Sequence, residues 1–118
     1  MILTIITKVE KRLSKNIAVT NLYEPGSTFK PIVASAALAS GKWKLETVYN
    51  DKGAFVANGH VMRNWNGEGY GPVRLLDILK YSINTGMAEI GTTTGADILS
   101  KYVRDYGFGS ETGIELPG

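Results

Sequence analysis

The 118 residues contain no cysteine, which excludes disulfides, thiol nucleophiles and cysteine-ligated metals. Histidine occurs once, at position 60, so neither a histidine-based metal site nor a Ser-His-Asp triad can be built. Basic residues never run beyond two in a row and the net charge is only +2, so there is no footprint for nucleic acid. The apolar opening Met1–Thr7 is far shorter than the ~20 residues of a membrane span and lacks the basic start and cleavage site of a signal peptide. With those classes removed, an apolar fraction of 43% still supports a folded core. The length fits one domain or a piece of a larger one. No metal or cofactor is expected, and the chain itself reads as soluble.

Met1–Thr7 suits a short strand, and Lys8–Lys15 a charged helix or loop; residues 1–15 read as a lead-in of uncertain origin, before a domain over 16–118. Asn16–Tyr23 has strand-like residues and leads into a turn at Glu24–Gly26. Ile32–Ala39 has no polar face apart from Ser35, which predicts a helix buried on all sides. Pro31 belongs in its first turn, placing the start near Ser27 or Thr28, and Gly41 suits the left-handed residue that ends it. Lys42–Tyr49 reads as a link. Asn58-Gly59, flanked by Phe55–Ala57 and His60–Met62, is a hairpin signal that puts His60 on a surface strand. Arg63–Gly71 is glycine-rich loop, without the strand-turn-helix frame of a phosphate cradle. Pro72–Tyr81 predicts a helix begun by proline, with Leu75, Leu76, Ile78 and Leu79 as its apolar face. Thr85–Thr93 is a second small-residue helix or turn. Ala96–Tyr106 is amphipathic, with Asp97 and Arg104 matching the helix dipole and Gly107 at its end. Thr112–Gly118 closes as a loop. The expected fold is α+β and mainly helical, with one small hairpin.

Ser27 and Lys30 stand one helical turn apart, on the same face. Two readings fit them. Ser27 serves as an N-cap while Lys30 snorkels to water. Alternatively, Ser27 is a nucleophile whose proton is taken by a lysine that burial and helix dipoles hold neutral. Ser82 and Asn84 suit a helix end and the next N-cap.

The segment YEPGSTFKP at Tyr23–Pro31 resembles the active-site motif of class B penicillin-binding proteins, the D,D-transpeptidases that cross-link peptidoglycan. Ala18–Pro31, Gly59–Trp65 (GHVMRNW), Tyr81–Met87 (YSINTGM) and Tyr106–Gly118 (YGFGSETGIELPG) resemble successive blocks of that family in the right order. The resemblance implies the helical subdomain of the penicillin-binding-protein and β-lactamase-like serine acyltransferase fold, with an incomplete central sheet. It implies Ser27 as the nucleophile that attacks the penultimate D-Ala carbonyl of a stem peptide and that β-lactams acylate. Lys30 would be its base, Ser82 a proton relay to the leaving amine, and Asn84 the group that holds the substrate amide. The Ser27 backbone N–H would face the developing oxyanion. A membrane-anchored, extracytoplasmic parent protein is implied as well.

The family's third motif, Lys-Thr/Ser-Gly, does not occur: Lys52 precedes Gly53, and Thr112-Gly113 follows Glu111. In the family it lies downstream of TGIELPG, so the chain is expected to stop before it and to show little transpeptidase activity alone. Exposed apolar surface at the incomplete sheet would favour homo-oligomers. A β-lactam-sensing receptor domain uses the same Ser-x-x-Lys chemistry, and a catalytically dead interaction unit is the third alternative; the Tyr23–Pro31 context and TGIELPG favour the enzyme over the sensor.

Overall fold

A computed structural model describes residues 17–115, so the expectations for residues 1–15 and for the last residues of TGIELPG lie outside it. The described chain forms two units. The smaller joins residues 17–24 to residues 111–115, and contains a single short helix, α1 (Ile17–Thr20). This corrects the strand expected at Asn16–Tyr23. A preference for strand residues acts through packing on a sheet surface, and no described strand pairs with this segment.

The larger unit, Pro25–Ser110, carries the rest. A 3₁₀ turn at Gly26–Phe29 runs into α2 (Lys30–Ala39). Strands β1 (Tyr49–Asp51), β2 (Ala54–Ala57), β3 (His60–Arg63) and β4 (Gly71–Val73) follow. Then come α3 (Leu75–Lys80), α4 (Asn84–Thr94) and α5 (Ala96–Asp105). The α-helix starts at Lys30, about one turn later than expected, because Pro31 has no N–H to donate to the Ser27 carbonyl. The Lys30 N–H donates there instead, one residue sooner, and that is a 3₁₀ bond. Gly41 takes a positive φ of 73° beyond the helix end, as its position suggested.

Two antiparallel pairs form in place of the single hairpin expected. β2 and β3 make that hairpin, with Ala57 opposite His60 and both Asn58 (φ 50°) and Gly59 (φ 77°) left-handed, as a type I′ turn requires. His60 is exposed there. The second pair joins β1 to β4, with Asn50 opposite Pro72. Pro72 therefore opens no helix. Both strands of a two-stranded sheet are edges, where a proline without N–H is tolerated, and α3 starts only after Arg74. The Asp77 carboxylate then caps α3 by accepting the Arg74 N–H at 3.0 Å.

The core joins Ala34 and Ala37 of α2 to Leu75 and Ile78 of α3, Met87 and Ile90 of α4, and Trp43, Val73 and Ile83. Each fully buried Leu or Ile contributes about 1.5–3 kcal/mol. Neither apolar helix is buried all round. In α2 Ala34, Ala36 and Ala37 are buried while Leu38 is 38% exposed, since the packed helices cover only part of its circumference. In α3 the expected face includes Leu75 and Ile78, but Leu76 points to solvent. Gly86 brings α4 onto α3: a Cβ there would lie 2.7 Å from Ile78 Cγ1. The amphipathic helix α5 forms as its periodicity predicts, and beyond it Tyr106 reaches α2 while Phe108 reaches the 3₁₀ turn before it. Tyr106 Oη donates to Ser35 Oγ at 2.9 Å, and Phe108 meets Phe29 edge to face.

Candidate active site

Lys30 opens α2 and is half-buried. Its Nζ donates to three oxygens: Ser82 Oγ at 2.7 Å, the Ser82 carbonyl at 2.9 Å, and Asn84 Oδ1 at 2.7 Å. Burial holds its ammonium below the ordinary lysine value of 10.5. Ser82 Oγ in turn lies 3.1 Å from Ser27 Oγ. A line of atoms therefore runs from the Ser27 hydroxyl through the Ser82 hydroxyl to the Lys30 amine. The pairs Ser27/Lys30 and Ser82/Asn84, more than fifty residues apart in sequence, come together in one place. The geometry also departs from the simplest expectation. The contact of Lys30 with Ser27 runs through Ser82, and Ser27 sits exposed on the 3₁₀ turn rather than at a buried helix start.

Ser82 owes its position to the end of α3. The Ile83 N–H donates to the Ile78 carbonyl at 2.9 Å and the Ser82 N–H to the Leu79 carbonyl at 3.3 Å, the paired bonds of a Schellman motif. That motif needs a left-handed residue at Ser82, where glycine is usual; serine takes φ 53°. The left-handed conformation costs a non-glycine residue about 1–2 kcal/mol. The fully buried pair Ile78 and Ile83 supplies the apolar clasp that accompanies the motif. The turn sends the chain directly into α4, so Asn84 begins the next helix beside Ser82.

A polar cluster behind the site had no signal in the sequence beyond Asn64 falling within GHVMRNW and Thr85 within YSINTGM. Asp51, Asn64 and Thr85 are all buried. Asp51 Oδ1 accepts Thr85 Oγ1–H at 2.6 Å and the Gly53 N–H at 2.9 Å; its Oδ2 accepts Asn64 Nδ2 at 2.7 Å and the Tyr70 N–H at 3.0 Å. Burial alone would raise this carboxyl, but the four hydrogen bonds, led by Thr85, outweigh it and leave it below the ordinary value. The sequence around it permits the approach. A Cβ on Gly69 would stand 2.6 Å from the Asp51 carbonyl oxygen, so only glycine lets the 68–70 loop pass so close.

An open groove of about 380 Å³ adjoins Lys30 and Asn84 and is walled by Val33, Met62, Met87 and Leu99. The described residues contain no cluster of three or more His, Cys, Asp or Glu able to hold a metal. None of the described helices is long and apolar enough to cross a membrane.

The family profile described as the penicillin-binding protein transpeptidase domain matches residues 5–118. The chain belongs to this family. Among its transpeptidase relatives is Stage V sporulation protein D of Bacillus subtilis (strain 168), 41% identical over 89% of this chain and 16% of the relative. Another is the peptidoglycan D,D-transpeptidase MrdA of Acinetobacter baumannii, 35% identical over 86% of the chain and 16% of the relative. These are class B penicillin-binding proteins, as the sequence blocks indicated. The transpeptidase fold is shared with penicillin-binding protein A from M. tuberculosis, solved as a ceftriaxone acyl-enzyme complex. That match has a TM-score of 0.69 at 32% identity, over 75% of this chain and 21% of the other. The chain thus spans about one sixth of the curated relatives' length, and its α+β architecture is part of a transpeptidase domain.

Proposed function

We propose that this chain is the nucleophile-bearing part of a peptidoglycan D,D-transpeptidase, in which Ser27 forms the acyl-enzyme. The observation that carries the reading is the unbroken line from Ser27 Oγ to Ser82 Oγ (3.1 Å) to Lys30 Nζ (2.7 Å). The acyl-enzyme named for the M. tuberculosis relative supports it.

The three acceptors around Nζ match the three protons of an ammonium. In that form Lys30 donates to Ser82, and Ser82 to Ser27. Once Lys30 is neutral the direction reverses. Ser27 Oγ–H gives its proton to Ser82 Oγ as the oxygen attacks the penultimate D-Ala carbonyl, and Ser82 passes its own proton to the amine. The Ser27 N–H, at the start of the 3₁₀ turn, donates to the oxyanion that forms. Collapse breaks the C–N bond, and the leaving D-Ala amine takes a proton from Ser82, which Lys30 replaces. A second stem peptide's amine then attacks the Ser27 ester by the same route in reverse. Asn84 uses Oδ1 for Lys30 and one Nδ2 hydrogen for the Arg63 carbonyl at 3.3 Å, which leaves its second Nδ2 hydrogen to donate to the substrate amide carbonyl in the proposed complex. A β-lactam takes the place of the stem peptide and stops at the ester.

The chain lacks Lys-Thr/Ser-Gly, which in the family supplies the other oxyanion donor. Loss of one such donor costs about 10²–10³ in rate, so this chain acylates slowly and turns over little. The parent protein works at the outer face of the membrane. The test is prolonged incubation with a fluorescent penicillin, followed by intact mass. One adduct per chain, absent from Ser27→Ala, is the expected result; no adduct on the unmodified chain refutes the reading.

A further inference from the structure

Ser82 and Asn84 sit on a turn whose left-handed residue is strained, so something must hold that turn against relaxation. Lys30 alone cannot, because its side chain is long and only half-buried. The Schellman bonds hold it from the α3 side, and a second restraint comes from the other side. Asn84 Nδ2 is held by the Arg63 carbonyl, and the next residue, Thr85, is held by Asn64: the Thr85 N–H donates to Asn64 Oδ1 at 3.2 Å. Asn64 cannot swing away, since its two Nδ2 hydrogens go to Asp51 Oδ2 at 2.7 Å and the Glu68 carbonyl at 2.9 Å. Thr85 Oγ1 closes the ring onto Asp51 Oδ1 at 2.6 Å. Every polar atom of the Asn64 and Thr85 side chains is thus tied, directly or at one remove, to one carboxylate that is 2% exposed.

We propose that Asp51 is a positioning residue for the acyl-transfer site, its carboxylate fixing through Asn64 and Thr85 where Ser82 and Asn84 meet Lys30. Asp51 touches neither substrate nor the relay. It acts because a carboxylate offers acceptors on both oxygens, and four donors converge on it, from Gly53 just beyond β1, Asn64 and Tyr70 of the 64–70 loop, and Thr85 of α4. An asparagine in its place would turn one oxygen into a donor facing the donors of Asn64 and Tyr70. Displacing reacting groups by about 1 Å costs on the order of 10²-fold in rate.

The rate measurement rests on the transpeptidase reading above, so a second readout independent of chemistry accompanies it. Asp51→Asn, Thr85→Val and Thr85→Ser are compared with the unmodified chain for the rate and end-point of penicillin labelling, well below their melting temperatures. The side-chain amide resonances of Asn84 are recorded for each. Asp51→Asn and Thr85→Val are expected to label roughly 10–10²-fold more slowly, to reach one label per chain, and to shift the Asn84 resonances. Thr85→Ser keeps the hydroxyl and stays within about twofold. The proposal is overturned if Thr85→Val labels at the unmodified rate with unmoved Asn84 resonances. It is equally overturned if rate and end-point fall together, which is loss of folded protein. If the unmodified chain takes no label, the transpeptidase reading fails, and the Asn84 resonances alone decide the role of Asp51.

Discussion

The two serines of the site are held in opposite ways. Ser27 stands exposed on a 3₁₀ turn, its neighbour Thr28 tied only locally, by Oγ1 donating to the Pro25 carbonyl at 2.6 Å. Ser82 is half-buried in a left-handed conformation, clasped by a Schellman motif and followed by a helix start locked to a buried carboxylate. The difference suits the two roles proposed for them. A nucleophile must meet substrate and later release it, so it belongs on an accessible turn. A relay must keep two hydrogen-bond distances at once, so it belongs on the rigid side.

Replacing Lys30 with Met breaks the comparison most severely, because both serines lose the group proposed to accept their proton. Acylation is expected to fall by about 10²–10⁴-fold. In the unmodified chain the rate should rise with pH towards a plateau, with its midpoint below the ordinary lysine value of 10.5, since burial favours the neutral amine; Lys30→Met should be flat over that range. Stopped-flow or gel-based labelling across pH measures both.

The rigid side is next. The folded-state pKa of Asp51 is lowered, so its contribution to stability is present above the ordinary carboxylate value of 3.8 and is lost as pH falls through the lower folded value. Asp51→Asn should cost about 3 kcal/mol near neutral pH and flatten the acid limb of the denaturation profile. Chemical denaturation at a series of pH values reports this. Gly86→Ala tests the helix contact beneath the same turn: its Cβ would press on the fully buried Ile78, for an expected loss of about 1–3 kcal/mol. The smallest effect sharpens the comparison most finely. Ser82→Gly should be about 1 kcal/mol more stable than Ser82→Ala, because only glycine relieves the positive φ, yet both should lose the relay equally.

Much of this was legible in the residues, for identifiable reasons. The Asn58-Gly59 hairpin and the amphipathic α5 are local patterns, and both form where periodicity and turn chemistry place them. Ser27, Lys30, Ser82 and Asn84 were legible because their spacing resembles a family. Nothing in composition brings positions 27 and 82 together; packing does that. The β1–β4 pair escaped notice because its strands are three residues long and one contains proline. Asp51 was invisible for a related reason. In YNDKG it looks like a surface turn residue, and only the convergence of Asn64, Tyr70 and Thr85 makes a buried carboxylate stable there. The buried-all-round reading of α2 failed because an apolar sequence reports what a helix tolerates, while burial depends on which neighbours cover it.

The acyl-transfer account is tested most directly by locating the penicillin adduct. Peptide mapping after saturating incubation should find a single modified site, at Ser27, with no adduct on Ser27→Ala under the same conditions. An unmodified chain that takes no label, or a label that survives the Ser27→Ala change, would contradict it.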